Sequence, residues 1–299
     1  LANNNGGAAG AITLTTGTNN VITLNASTLT AAGGAGGGGT GVQGAGATIN
    51  FDDPVALATG GGTLTTGATA GNIEFDQTLN GGQTLALTAG TGSITFTGAV
   101  GGSTPLGAVT INQAADVTTG STFSAASVNQ AASGTGTTTI GGLLTATGAV
   151  TLDAATLDLN AGITTSGGLV TLNAGAGGVD LATGQTITTT AGVNTVTISG
   201  AIDINVTGVG TVNLVGDLVT TGAANNAGVG SAGGAVTIDT ANGTIALANI
   251  TTSGGAGIGY DIQDWLKLAV DYTYRVKNSN LAEREYISNT TIFSVSIEL

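Results

Sequence analysis

The stretch GAVTLDAATLDLNAGITTSGGLVTL, residues 148–172, decides the fold. A glycine opens a short run in which Val or Leu alternates with Thr (GAVTL), a polar corner follows, two further runs appear (TLDLN and GITTSGG), and GLVTL begins the cycle again. Alternation at period two is the signature of a strand. Short strands broken by glycine corners and then repeated describe one coil of a parallel β-solenoid and the start of the next.

The same grammar runs outward in both directions. Strand openings recur as GAITLTTG (10–17), NVITLNASTLT (20–30), ATINF (47–51), GNIEF (71–75), GSITF (92–96), GAVTI (107–111), GTTTI (136–140), NTVTI (194–198), GTVNL (210–214) and GAVTI (234–238). Many openings lie about 20 to 24 residues apart, and the other gaps imply insertions or second faces of the same coil. A second phrase returns as TLTTG (63–67), DVTTG (116–120), GITTSG (162–167), LVTTG (218–222) and NITTSG (249–254). The glycine run AAGGAGGGGTGVQGAGA (31–47) reads as an excursion loop that leaves the coil and returns.

Stacked coils make columns. Phe51, Phe75, Phe96 and Phe123 are the only aromatic residues before 260, and the 24 and 21 residues between the first three predict an internal aromatic ladder with Phe123 as its fourth member. Acidic residues keep a similar beat, from Asp52 to Glu74, Asp158 to Asp180 to Asp203, and Asp217 to Asp239. Carboxylates stacked at that spacing repel unless they are exposed or bridged by a cation, and exposure is the expected answer.

Composition narrows the function. Gly contributes 54 of 299 residues, which elsewhere marks disorder or fibres. The chain is nevertheless 41% hydrophobic and 7% charged, with β-branched residues at most strand positions, so it is ordered. A net charge of −13, with four Lys and Arg in all, excludes a nucleic-acid partner, which needs basic residues to displace counterions. Zero Cys fits a secreted bacterial chain. Leu1 is not an initiator and no signal segment precedes it, which implies a processed chain or a fragment.

The register changes near residue 258. All four basic residues, the only Trp and all four Tyr lie beyond it. DWLKLAVDYTYRV and the closing TTIFSVSIEL alternate cleanly about the polar KNSNLAERE, which predicts an antiparallel hairpin over 259–299 after a solenoid over 1–258. GAGIGYD (255–261) is no dinucleotide fingerprint, because no helix follows it; it reads as the connector.

With its GxVTL and ITTSGG units, the region from about 10 to 257 resembles the repeats of filamentous-haemagglutinin-like and autotransporter passenger proteins, large right-handed parallel β-helices of bacterial surfaces. Residues 259–299 resemble the last two strands of an outer-membrane β-barrel, although such barrels usually end in Phe or Trp and this chain ends in Leu299. Two strands cannot close a barrel, so the hairpin is either an outer-membrane anchor, the reading its style favours, or a cap on the solenoid.

Enzyme chemistry finds little purchase. Without His or Cys, triads and the commonest metal sites are absent, and no Lys or Arg before 267 can serve a lyase as proton acceptor. Paired carboxylates for glycoside hydrolysis remain, as Asp158 with Asp180, or Asp52 and Asp53 with Glu74 and Asp76, but no substrate-binding aromatics surround them. The calcium nonapeptide of β-rolls does not occur, since the glycine runs at 33–46 and 226–234 hold no Asp. Ice binding by Thr arrays such as TLTTGT is disfavoured by their irregular spacing.

The sequence therefore predicts an all-β protein, a right-handed parallel β-helix of about ten to twelve coils and about 50 to 60 Å followed by a C-terminal antiparallel hairpin. It is read as a non-enzymatic adhesin or scaffold, at the bacterial surface, in the outer membrane or secreted. No catalytic, cofactor-binding or metal residue is assigned. The partners expected are a surface glycan or protein, met by the loops 31–47 and 223–233, or further copies stacked end to end as a filament.

Overall fold

The computed structural model describes residues 4–17, 20–37, 40–131, 135–191, 199–223 and 231–254, together with the backbone of the strands Tyr260–Gln263, Leu266–Val276 and Ile292–Glu298. The protein is all-β, with no helix among the described residues. It comprises two compact units, one of residues 1–145 and 152–160, the other of residues 146–151 and 161–299.

In the first unit the short strands pair in parallel and in register, each with its counterpart in the next tier of the chain. Ile12, Ile49, Ile73, Ile94 and Val117 follow one another in one column, and Leu14, Phe51, Phe75, Phe96 and Thr119 in the column two residues on. A second face stacks Ile22–Leu24 on Val55–Leu57 and then Leu79–Asn80; a third stacks Ser27–Thr30 on Gly62–Thr65 and then Leu85–Thr88. Inward residues alternate with outward ones because the pleat has period two, and the inward ones (Ile49, Phe51, Leu64, Ile73, Leu79, Leu87, Ile94) are fully buried.

The aromatic ladder is present for three of its four expected members. Phe51 and Phe75 stack with ring centroids 4.8 Å apart and planes 2° apart, and Phe75 and Phe96 stack at 5.2 Å and 6°. Phe123 meets Phe96 edge-on at 5.4 Å. The reason is register: Thr119 occupies the next rung, while Phe123 follows Val100 on another face and turns its edge toward the ladder's end.

The glycine run at 31–47 leaves after the strand Ser27–Thr30 and returns before Ile49–Phe51, as the sequence predicts, and its two limbs bond to each other. Its backbone hydrogen bonds recur every third residue: the N–H groups of Gly41, Gly44 and Ala47 donate to the carbonyls of Gly37, Gly34 and Ala31. Residues 4–12 join them, with Gly6, Ala9 and Ile12 donating to Val42, Ala45 and Thr48, and with Gly34 and Gly37 donating back to Gly7 and Asn4. Three residues per turn is the polyproline-II period, in which collagen also needs glycine wherever chains approach an axis. Here a Cβ on Gly6, Gly33, Gly36, Gly41 or Gly44 would strike neighbouring backbone, whereas Gly7 and Gly10 face open space. Three extended glycine segments thus pack against one another beside the first tier.

The second unit keeps the parallel register but lengthens its tiers. Val150 donates to Leu169, while Val170 pairs with Ile202 and Ile202 with Val236, and Ile163, Ile187, Leu218 and Ile250 form another column. The steps thus grow from about twenty residues to more than thirty. The recurrent Thr-Thr-Gly phrase explains how the tiers absorb this. Thr165, Thr189 and Thr220 stack inward, each buried, and their hydroxyls donate to the carbonyls of Gly168 (2.6 Å), Gly200 (2.5 Å) and Gly234 (2.6 Å). Those glycines stack in turn, for a Cβ on Gly168, Gly200 or Gly234 would meet the carbonyl of the glycine one tier before, at 148, 168 or 200. The distance along the chain from hydroxyl to carbonyl grows from three to eleven to fourteen residues, while the threonines and the glycines each keep their column. Thr66, bonded to the carbonyl of Gly71 at 2.9 Å, makes the same closure in the first unit.

Beyond residue 258 the strands are antiparallel, as the sequence predicts. Leu266–Val276 pairs with Ile292–Glu298 in a register that sets Lys267 opposite Glu298 and Tyr272 opposite Phe293. Two further pairings were not legible: Leu266–Val276 also runs antiparallel along Ile245–Gly254, with Ile250 opposite Val276, and the connector holds a strand of its own, Tyr260–Gln263. NTVTI (194–198), Trp265, Leu299 and most of the loop at 223–233 lie outside the described residues.

Candidate functional site: the outward carboxylates and amides

Outward positions of the parallel strands and their corners carry Asp, Glu, Asn and Thr, and the carboxylates among them are the candidates for acid–base chemistry. The register does not stack Asp52 on Glu74, Asp180 on Asp203 or Asp217 on Asp239, as their even spacing predicted. Glu74 lies between Asn50 and Thr95, and it is Asp76, not Glu74, that lies one tier on from Asp52. Asp180 pairs with Asn213, Asp203 with Thr171 and Thr237, Asp217 with Thr186 and Asn249, and Asp239 with Asn205. The beat of 22 or 23 residues spans less than one tier in the second unit, which is why it misleads there.

What stands beside most of these carboxylates is an amide. Asn213 Nδ2 donates to Asp180 at 2.9 Å and Asn249 Nδ2 to Asp217 at 2.8 Å, in both cases across one tier. Within a tier, Asn160 donates to Asp158 at 3.0 Å and Asn72 to Glu74 at 3.0 Å. Asn50 donates to Asp52 at 2.5 Å and reaches Asp76 at 3.4 Å, so one NH₂ group serves two carboxylates. Asn205 donates to Asn173 at 3.0 Å. An amide supplies the donors that a carboxylate lacks and carries no charge, so it spaces the carboxylates along these columns. The residues missed at the sequence level are these asparagines. Their signal is the i, i+2 pairing in NFD (50–52), NIE (72–74) and DLN (158–160), which period two puts on one face.

Asp53 is organised differently. Its carboxylate accepts from the backbone N–H of Thr16, from the Thr16 hydroxyl at 3.0 Å and from the Thr15 hydroxyl at 3.2 Å. The backbone donor first, then the Thr16 hydroxyl, hold the carboxyl below the ordinary aspartate value, and Thr15 adds a smaller contribution. The contact ties residues 15–16 of one tier to the corner of the next.

Of the pairs proposed for glycoside chemistry, Asp158 belongs to the first unit and Asp180 to the second, each with the amide named above. In the other set Asp52 and Asp76 share the Asn50 amide, Glu74 holds Asn72, and Asp53 is committed to Thr15 and Thr16. Among the described residues no group of three or more His, Cys, Asp or Glu is arranged to hold a metal ion. No protein-family model, curated protein or solved structure matches this chain.

Proposed function

We propose that the chain is a right-handed parallel β-solenoid whose work is mechanical and adhesive: a bacterial surface or secreted rod that holds inserted segments outward. The observation that carries this reading is the set of in-register columns, Phe51 to Phe96 in one unit and Thr165 to Thr220 with their glycines in the other. Such columns supply a repetitive backbone that each tier completes for its neighbour. The insertions support presentation, since they enter where a buried Thr closes onto a glycine carbonyl and the columns do not move. The partners that suit it are a surface glycan or protein met by those insertions.

A second reading is a subunit of an extracellular filament or matrix, and a third, a polysaccharide-active enzyme using paired carboxylates. Asp158 and Asp180 each accept from an asparagine, Asn160 and Asn213, and so serve the outward face of the columns on which the first reading rests. For the tail, the antiparallel pairing of Leu266–Val276 along Ile245–Gly254 favours a cap over an outer-membrane anchor, since capping an edge strand blocks further pairing.

Negative-stain electron microscopy of the purified chain, with and without residues 259–299, tests the reading. Single short rods are expected from both; rods that cluster by one end only with the tail would restore the anchor. Long filaments of uniform width would favour the polymer, and round particles would refute the solenoid. Turnover of a surface polysaccharide that is lost in Asp158→Asn with Asp180→Asn would establish the enzyme instead.

A further inference from the structure

The chain contains one Asp–Pro bond, between Asp53 and Pro54; its other proline, Pro105, follows Thr104. The residue after an aspartate decides which reactions its side chain can enter. A following N–H nitrogen can close a ring on the carboxyl, and proline has no N–H. The carboxyl of Asp53 is then left with its own backbone carbonyl carbon as the nearest electrophile, in a tertiary amide whose cleavage releases a secondary amine. Carboxylates act as nucleophiles in covalent catalysis, and attack within one residue needs no encounter in solution. Asp53 and Pro54 are half-buried at a corner between the buried Phe51 and Val55, with Asp52 exposed beside them, so the bond lies where water has access.

The fold keeps that carboxyl occupied. The Thr16 N–H, the Thr16 hydroxyl at 3.0 Å and the Thr15 hydroxyl at 3.2 Å all donate to its Oδ2. The flanking backbone is tied as well: Asp52 donates to Leu14 at 3.0 Å, Pro54 accepts from Ile22 at 2.8 Å and Val55 donates to Thr78 at 2.8 Å. An oxygen engaged by three donors is a weak nucleophile, and turning it onto its own carbonyl carbon breaks charge-assisted bonds. We propose that Asp53–Pro54 is a self-cleaving bond, latched by Thr15 and Thr16 and cut in acid when the latch opens. A carboxyl oxygen of Asp53 attacks the Asp53 carbonyl carbon, and the bond to Pro54 breaks with its electron pair on nitrogen. The carboxyl's proton passes to that nitrogen, and one water opens the resulting five-membered anhydride, leaving a C-terminal Asp53 and an N-terminal Pro54. The chain has no His and no Lys or Arg before 267 to move protons here, so solvent acidity sets the rate. Residues 1–51 bring no charge to the corner; the charged neighbours are Asp52 beside it and Asp76 one tier on from Asp52. Because the Thr16 and Thr15 donors favour the ionised carboxyl, the latch outlasts the pH at which a free aspartate protonates and opens below it. The pieces stay assembled after the cut, since Ile22–Leu24, Ser27–Thr30 and Ile49–Phe51 pair with Val55–Leu57, Gly62–Thr65 and Ile73–Phe75 across it.

Incubation of the full chain in acidic buffer, followed by denaturation and intact-mass spectrometry, tests the proposal. Two fragments are expected, residues 1–53 and 54–299, whose masses sum to the 28.3 kDa parent plus one water, while size exclusion before denaturation shows a single undivided species. Asp53→Asn and Pro54→Ala should each suppress the cut. Thr15→Val combined with Thr16→Val removes both hydroxyl donors and should speed the cut several-fold at a given pH, whereas Thr15→Ser with Thr16→Ser keeps the hydroxyls and should restore the wild-type rate. The wild type in urea, where no latch survives, should also cut several-fold faster than the folded chain, a comparison that decides the matter even if the valine pair does not fold. Absence of a fragment beginning at Pro54, a rate unchanged by Asp53→Asn, or a folded wild type that cuts as fast as the urea-unfolded chain would each overturn the proposal.

Discussion

Replacing Phe75 by Leu probes the aromatic ladder at its centre. Phe75 is 1% exposed and stacks on Phe51 at 4.8 Å and on Phe96 at 5.2 Å, whereas Phe51 has one ring partner and the aliphatic Leu14 on its other side. Truncating a core Phe to Ala costs about 3 to 5 kcal/mol. Leu retains most of the volume and isolates the ring–ring component, about 0.5 to 1.5 kcal/mol for each aromatic pair beyond its buried area. Two pairs make about 1 to 3 kcal/mol for Phe75→Leu, and one pair makes about 0.5 to 1.5 kcal/mol for Phe51→Leu. Urea unfolding followed by far-ultraviolet circular dichroism supplies both values, and the double variant supplies their coupling, expected at about 0.5 to 1.5 kcal/mol. Equal costs at the two positions, or a coupling of zero, would refute the claim that the rings act as a ladder rather than as separate fillers of a core.

Thr189→Val should cost about 0.5 to 1.5 kcal/mol in the same assay, because it removes the buried hydroxyl that donates to the half-buried Gly200 carbonyl, while Thr188→Val on the outward face should cost little. Gly36→Ala should release the three-residue-period bundle, since a Cβ there meets the backbone of Gly41 and Val42, and Gly7→Ala should not; amide hydrogen exchange at Gly41 and Gly44 reads the difference. Asn249→Asp removes the donor to Asp217 and sets two carboxylates together, with an expected loss of about 0.2 to 1 kcal/mol that added salt diminishes. Asp53 has a depressed folded-state value, so its contribution is present above the unfolded aspartate value and is lost as pH falls through the lower folded one. A carboxyl titration by NMR should place its midpoint below that of free aspartate, and protection of the Thr16 amide should fade over the same acidic window.

Much of this fold was legible because its signals are local. The alternation in NIEF, SITF and AVTI specifies inward and outward faces without knowledge of any neighbour, and three Phe residues one tier apart announce their own column. Phe123 misled because the same residue type on another face mimics a rung, and only register distinguishes it from Thr119. The glycine run was legible as an excursion but not as a bonded one, because hydrogen bonding every third residue leaves no hydropathy pattern; its trace is the spacing of Gly33 from Gly36 and of Gly41 from Gly44. The TTG phrase was visible as a repeat but not as a buried donor, since Thr is so common on solvated strand faces. Of the outward surface, the acids were visible and their asparagines were not. Pairing across a tier depends on tier length, and that length changes along the chain.

The closure of Thr165, Thr189 and Thr220 onto glycine carbonyls bears on how such a chain can evolve or be rebuilt. Each hydroxyl donates to the carbonyl of whichever glycine returns to the column, so the gene can gain or lose codons at that corner while every strand keeps its partner. Foreign peptides grafted between Thr220 and Gly234 should be carried without a change of register, whereas a single residue inserted within Val170–Leu181 would turn one face of the strand inside out. Length is thus free to vary at the corners and forbidden to vary along the faces.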